Sequence, residues 1–207
     1  MSNDHLLLDR HCPTYDFTRL EFQLIAAPAP AAMEAMRSLD LAAIRSPLSD
    51  LATAIRSLPE RLRHESPQEP RSMRLGDLFD SPEESELPGW VGLDEVRTRE
   101  LAFGAIGKFW QPQISWRSVK AEEFASFSEP GWGKIVAGIV SHPYGAQSSI
   151  LSYEARTVLY DDDSRRRFRR YWRLVSPFAG VVMRSALKAV AESQHSTTAS
   201  SGGRKSG

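Results

Sequence analysis

The chain has 207 residues, of which 41% are apolar and 25% charged, and its 26 basic side chains are balanced by 26 acidic ones. This composition is typical of a soluble globular domain with a sizeable core, and zero net charge offers no general electrostatic basis for binding nucleic acid. The single cysteine, Cys12, excludes an intrachain disulfide and a multi-cysteine metal site.

The two ends of the chain predict little folded structure. Residues 1–14 place an acid before a short leucine run, unlike the basic start of an export signal. Residues 195–207 are rich in Ser, Thr and Gly. No stretch approaches the roughly 18 apolar residues of a membrane span. We therefore expect a flexible segment over 1–14, one folded domain over 15–194, a disordered tail over 195–207, a cytoplasmic location and no stable membrane insertion.

The folded region begins with a predicted strand, YDFTRLEFQLI. Leu20, Phe22 and Leu24 alternate with polar residues, and we expect these three side chains to face the core. Two short helices are predicted next, the second with Ser46 as its N-cap and Pro47 in its first turn. Beyond residue 71 the apolar period changes to two, which predicts about five further strands separated by Gly and Pro turns.

Residues 160–193 predict a long amphipathic helix. Its apolar side chains between Phe168 and Val190 fall within one arc of the helical wheel, and its arginines fall on the opposite side. The acids at 161–163 supply an N-cap, and Pro177 predicts a kink. The order of elements predicts an α+β fold in which a curved antiparallel sheet wraps around the long C-terminal helix, with two short helices after the first strand.

This pattern resembles the START-like helix-grip superfamily (SRPBCC), and within it an uncharacterised bacterial group related to polyketide cyclases and lipid-transfer proteins. The segments that carry the resemblance are GAIGKFWQP, FASFSEPGWGK, YEARTVLYDDDSRRRFRRYW and PFAGVVMRSAL. The resemblance spans roughly residues 15 to 192. It implies a hydrophobic cavity between the sheet and the terminal helix, but no single activity.

The candidate ligand-binding residues follow from this expected cavity. Strand parity places Glu154 and Arg156 on one face of the last strand, and the resembling group also tends to carry an acid and a base two apart here. Facing the cavity, the pair can orient a ligand or perform acid–base chemistry; facing solvent, it is a surface charge ladder. We favour the cavity. The remaining candidates are His142 at the cavity mouth and the aromatic residues Trp110, Trp116 and Trp172, which are equally compatible with core packing.

Other chemistries lack their motifs. The acids at 161–163 are consecutive and point in divergent directions, which favours capping over a metal site. GAIGKFW lacks the Ser or Thr that a phosphate loop needs after Lys108, and the five histidines are scattered. The arginine run at 165–170 fits a solvated helix face better than a phosphate contact. We therefore expect no metal, no cofactor and no nucleic-acid partner.

These features favour the binding of a hydrophobic or amphipathic small molecule, such as a lipid, polyketide or isoprenoid. An alternative is an enzyme of the cyclase, dehydratase or hydrolase type that uses Glu154, Arg156 or His142 in the same cavity. A further alternative is a protein–protein adaptor with a collapsed pocket. Self-association into a homo-oligomer is compatible with each of these functions, and no catalytic residue is assigned.

Overall fold

The computed structural model describes residues 6–40, 74–81 and 89–202, with side chains up to residue 195. In these ranges, four short helices and six strands precede one long helix. In chain order they are α1 (Leu7–His11), β1 (Phe17–Ile25), α2 (Ala29–Arg37), α3 (Asp77–Asp80), β2 (Trp90–Val96), β3 (Glu100–Lys108), β4 (Ser115–Arg117), α4 (Ala121–Phe124), β5 (Gly133–Pro143), β6 (Ser149–Leu159) and α5 (Asp162–Gly202).

The strands form one antiparallel sheet in the order β1-β6-β5-β3-β2, with the short β4 paired to β3. The predicted α+β architecture, an antiparallel curved sheet with a long C-terminal helix, is therefore confirmed. The first predicted short helix corresponds to α2. The second, beginning near Ser46, lies outside the described residues.

The two faces of the sheet are covered by different parts of the chain. On the inner face, Leu101, Ile139 and Leu151 form a buried cluster with side chains of α2 and α5, including Leu187 and Val190. Fully burying each such side chain contributes about 1.5–3 kcal/mol of transfer free energy. On the outer face the covering elements are α1 and α4, so the sheet lies between two apolar layers.

The outer layer corrects the expectation that residues 1–14 are flexible. Leu8 of α1 is 2% exposed and packs over Gly138, where an added Cβ would lie 3.1 Å from the leucine side chain. The absence of a side chain at Gly138 thus lets α1 approach the sheet closely. Phe124 of α4 and Cys12 are buried in the same cluster. Within the described chain α1 begins at Leu7, and residues 1–5 lie outside it.

The direction in which the apolar side chains of β1 point also differs from expectation. The strand alternates as predicted, but Leu20, Phe22 and Leu24 are 51%, 70% and 52% exposed and lie on the outer face. The polar residues Arg19 and Glu21 face inward instead. β1 is an edge strand, and α1 covers the outer face over β2, β3 and β5, away from β1. The apolar row of β1 therefore has no covering layer in the described part of the chain.

The long helix α5 begins as predicted. Asp161 caps it, accepting hydrogen bonds from the Ser164 backbone N–H (2.8 Å) and from the Ser164 hydroxyl (2.7 Å). The helix continues past Pro177 and runs to Gly202, beyond the domain boundary predicted at residue 194. Residues 203–207 of the predicted tail lie outside the described chain.

One segment of α5 has the composition of a membrane span, contrary to expectation. Between Asp162 and His195 an 18-residue window reaches a mean hydropathy of 1.4, and 33% of it is buried. Core helices of soluble proteins pass the same test. Here Ala186, Leu187 and Val190 pack into the inner cluster, which accounts for part of this apolar character.

Candidate functional site

Three aromatic side chains from three strands meet on the inner face and form what we call the inner aromatic patch: Trp90, Phe103 and Tyr153. The ring centroids of Trp90 and Phe103 are 5.4 Å apart, and those of Phe103 and Tyr153 are 6.2 Å apart, both in tilted geometry. Phe103 is buried at the centre, whereas Trp90 and Tyr153 keep some accessible surface. The patch therefore offers aromatic surface beside the core without being closed into it.

Tyr153 supplies the polar group of the patch. Desolvation raises the pKa of its hydroxyl to about 12, so the phenol keeps its proton at neutral pH. Within the described part of the chain, no side-chain hydrogen bond involves this hydroxyl. Because Tyr153 keeps accessible surface, its hydroxyl can hydrogen-bond to a bound molecule or to water. The arrangement suits a hydrogen bond donated to a bound acceptor.

Small side chains separate the patch from the start of α5. Phe103 on β3 lies opposite Ala137 on β5, which in turn lies opposite Ala155 on β6. Ala137 is buried, whereas Ala155 keeps accessible surface. The middle of the inner face is therefore formed by small side chains, with aromatic residues beside them.

A charged network borders this floor. Arg19 lies opposite Ala155 and Glu21 lies opposite Tyr153 in the pairing of β1 with β6. The Glu21 carboxylate accepts hydrogen bonds from Arg19 (Nε, 2.8 Å) and from Arg184 of α5 (Nη1, 2.6 Å). Desolvation would raise the pKa of Glu21, but these hydrogen bonds hold it below its ordinary value. The inner face thus has an aromatic part and a charged edge.

A second aromatic group lies where α5 begins, with buried Phe168 at its centre. Trp172 stacks on Phe168 with a centroid separation of 5.7 Å and an interplanar angle of 20°. Trp110 meets the same ring edge-on at 6.3 Å, and Phe17 of β1 lies 4.9 Å from it. The structure thus brings two of the sequence-predicted residues, Trp110 and Trp172, together through Phe168, and both keep accessible surface.

Trp116, the third predicted tryptophan, has a packing role. Its ring lies edge-on to Phe109 at 5.8 Å and sits against Gly89. Gly89 has a φ of 77°, and a Cβ there would lie 2.8 Å from the indole. This turn requires glycine both for its backbone conformation and for the approach of Trp116.

The structure corrects the placement of Glu154 and Arg156. Both lie on the outer face, away from α5, so they do not line a space between the sheet and that helix. The Arg156 guanidinium is hydrogen-bonded to Glu154 (2.7 Å), to Asp9 (2.7 Å) and to the carbonyl oxygen of Cys12 (2.9 Å). It also lies 4.7 Å from the Tyr15 ring centroid. These contacts anchor the N-terminal segment to the sheet.

His142 lies on the same outer face, near the end of β5, and is exposed. Its Nε2 is 3.2 Å from the hydroxyl of Ser152. It is therefore not at the mouth of an inner-face cavity. Whether His142, Glu154 or Arg156 contacts a ligand stays a prediction, but the three do not belong to the inner site.

The sequence reasoning missed Tyr153 and Phe103 as site residues. Tyr153 lies on the face of β6 opposite to Glu154 and Arg156. The sequence signal that could have identified it is an aromatic residue among the apolar residues of that face. Across the described ranges, no group of three His, Cys, Asp or Glu side chains is arranged to hold a metal ion.

Comparisons with known proteins add little. No protein-family model and no curated protein matches the chain. Among solved structures, the Zhui aromatase/cyclase from Streptomyces sp. R1128 aligns with 84% of this chain and 93% of that chain, at 11% sequence identity and a TM-score of 0.30. Similarity at this level carries no argument about function, which rests instead on the geometry of the chain itself.

Proposed function

We propose that the protein binds a hydrophobic or amphipathic small molecule on the inner face of the sheet, beside α5. The observation that carries this proposal is Tyr153, a neutral phenol without a partner in the described chain that keeps accessible surface beside Phe103 and Trp90. Sites for small organic ligands typically combine apolar and aromatic walls with a few polar groups that set orientation.

The surroundings of Tyr153 suggest the chemical class of the ligand. Its apolar body would lie on the aromatic side chains and on Ala155, and a carbonyl or hydroxyl oxygen would accept the hydrogen bond of Tyr153. A more polar end would extend toward Arg19, at the charged edge of the face. Lipids, polyketides and isoprenoids that carry an oxygen function fit this description.

Binding is favoured over catalysis by the groups that are present. A phenol whose pKa is raised to about 12 is a poor general base at neutral pH. Glu21, the carboxylate opposite Tyr153, is engaged by two guanidinium groups, and its pKa is lowered, which weakens it as a base. The residues named for the enzyme alternative, Glu154, Arg156 and His142, lie on the other face.

The experiment is native mass spectrometry of the full chain purified from its own host, with two leucine variants of β6. Ala155→Leu fills the inner floor, and Ser152→Leu adds similar bulk on the outer face of the same strand. We expect the wild type and Ser152→Leu to retain a small molecule that Ala155→Leu lacks, with both variants folded by circular dichroism. Equal retention by the two variants would place the ligand elsewhere.

Self-association is a second candidate property, supported by the exposed row Leu20, Phe22 and Leu24 on the edge strand β1. An exposed apolar edge strand is a surface on which a second chain can pair. Light scattering tests it. We expect a dimer for the wild type that Phe22→Gln converts to a monomer, while Thr18→Ser on the same face leaves it intact. A monomeric wild type would remove this candidate.

A further inference from the structure

The outer face contains a cavity that the proposed inner site does not use. It has a volume of about 210 Å³ and lies between the segment that follows α1 and the segment that follows α4. The residues that line it include Cys12, Phe127, Ser128, Lys134, Val158 and Tyr160. One charged side chain, that of Lys134, is among them, and none of the lining residues is acidic.

Lys134 is unusually buried for a lysine. It lies on the outer face of β5 with 6% of its surface exposed. Its Nζ is 3.5 Å from the carbonyl oxygen of Ala125, a long contact, and lies over the rings of Phe124 (5.4 Å) and Tyr160 (5.9 Å). In the described ranges, no carboxylate lies within ion-pair distance of this ammonium.

A buried ammonium in this state is costly. Lysines are almost never fully buried unless they are paired, because removing the charge from water costs several kcal/mol. Desolvation accordingly lowers the pKa of Lys134. Cation–π contacts with two rings offset part of the cost. An anion placed in the cavity would supply the missing counter-charge.

The other lining groups suit an anion and an apolar body. Desolvation raises the pKa of the Tyr160 hydroxyl to about 12, so this group stays neutral and able to donate a hydrogen bond. Burial also raises the pKa of the Cys12 thiol, which donates to the carbonyl oxygen of Thr14 at 3.4 Å. Ser128 adds a hydroxyl group, whereas the Ser126 hydroxyl already donates to the carbonyl oxygen of Glu123 (3.1 Å). Phe127, Val158 and Pro13 add apolar surface.

The size of the cavity limits the ligand. A volume of about 210 Å³ lies below the roughly 300–1,000 Å³ of pockets that hold a drug-sized ligand, which favours a compact molecule. The outer cavity lies on the opposite face of the sheet from the inner site, so either one can fail without the other.

We propose that this cavity binds a small carboxylate with a compact apolar body, with Lys134 as its counter-charge and with neighbouring hydroxyl groups as hydrogen-bond donors. The position of the carboxylate is set by Lys134 on β5, and its apolar part lies against Phe127 and Val158. Inorganic phosphate lacks the apolar body that these side chains would contact, and is expected to bind less well.

Isothermal titration calorimetry of the full chain with benzoate, acetate and inorganic phosphate tests the proposal at one fixed ionic strength. Lys134→Met removes the charge at similar length. The matched control is Lys120→Met, which removes an exposed lysine near α4. We expect benzoate to bind to the wild type at one site, and acetate and phosphate to bind more weakly. Lys134→Met should lower the affinity for benzoate at least tenfold, and Lys120→Met should leave it unchanged.

Three results would overturn it. The first is no saturable binding of benzoate to the wild type. The second is a benzoate affinity that is unchanged in Lys134→Met. If the methionine variant fails to fold, Lys134→Gln takes its place. The third is a covalent adduct of Lys134 with benzaldehyde, trapped by borohydride reduction, in a protein that does not bind benzoate. This result would show that Lys134 is a carbonyl-reactive amine rather than a counter-ion.

Discussion

Glu21 on the first strand accepts a hydrogen bond from Arg184 on the last helix, across 163 positions of sequence, with 2.6 Å between Oε1 and Nη1. Arg19 donates to the same carboxylate oxygen. The inner face of β1 is thus joined to α5 by charge in its middle, at Arg19 and Glu21, and by aromatic packing at its start, where Phe17 contacts Phe168.

The network makes stability depend on pH. The pKa of Glu21 is lowered in the folded chain, so its contribution is present above the ordinary value near 4.5 and is lost as the pH falls through the lower folded value. We expect Glu21→Gln to lower the thermal midpoint at pH 7, and we expect this difference from the wild type to shrink as the pH falls through the lowered folded pKa of Glu21. Thermal unfolding of both proteins in a series of buffers from pH 7 downward measures this. A difference that is independent of pH would contradict the charged role of Glu21.

Asp161 supports a second pH prediction at the start of α5. Hydrogen bonds from the Ser164 backbone and hydroxyl, and from the backbone N–H of Gly131 (2.6 Å), lower the pKa of Asp161 to about 2 from 3.8. Its stabilisation is therefore complete above about pH 4 and is lost between there and about pH 2.

We expect Asp161→Ala to destabilise the protein by about 1 kcal/mol at neutral pH, the usual cost of losing a helix cap. Asp163→Ala serves as control, because its side chain is 58% exposed and pairs only with Arg167. Denaturant unfolding of both variants measures the two losses of stability. Equal losses would show that the cap hydrogen bonds contribute nothing specific.

The N-terminal helix gives a third prediction. Leu8 is 2% exposed and packs on Gly138, so Leu8→Ala should cost about 2–5 kcal/mol, the range for large-to-small changes in a core. Arg10→Ala, which removes a side chain that is 63% exposed, should cost less than about 1 kcal/mol. Unfolding curves for both variants test whether α1 belongs to the folded unit. A small loss in Leu8→Ala would restore the expectation of a flexible N-terminus.

Variants at the start of α5 test how much the buried aromatic side chains contribute to stability. Phe168 is 1% exposed, so Phe168→Ala should cost about 3–5 kcal/mol. Trp172→Ala should cost less, since Trp172 is only half-buried. Denaturant unfolding of both variants measures these losses.

Arg166 and Arg170 are exposed, and changing both to Gln should alter stability by less than about 1 kcal/mol. Loss of a tight, salt-dependent affinity for DNA or RNA in the double variant would contradict our assignment of these arginines to a solvated face.

The order of elements and the capped amphipathic helix were predictable from sequence, because the period of apolar residues and the cap at Asp161 are local signals. The facing of β1 and β6 was not. Alternation shows that a strand has two different faces, but which face is covered depends on distant elements. Leu20 and Glu154 share an outer face because α5 and its Arg184 lie on the other side.

The site was predictable only in part for the same reason. The tryptophans of the sequence indicated Trp110 and Trp172, which both pack against Phe168 at the start of α5. Tyr153 becomes notable only through its position beside Phe103, and Lys134 only through its burial with no carboxylate at ion-pair distance in the described ranges. Neither property can be read along the chain. A lysine in a strand predicts a solvent-facing position, and at Lys134 the covering segments of the chain reverse that expectation.

Photolabelling with a neutral aryl diazirine, followed by peptide mapping, tests the central claim most directly because it reports where an apolar molecule sits. A neutral probe avoids the anion site beside Lys134. We predict saturable labelling of inner-face residues around Phe103, Tyr153 and Trp172, abolished in Ala155→Leu and retained in Ser152→Leu. Labelling confined to the exposed row Leu20, Phe22 and Leu24, or labelling that does not saturate, would contradict a ligand site between the sheet and α5.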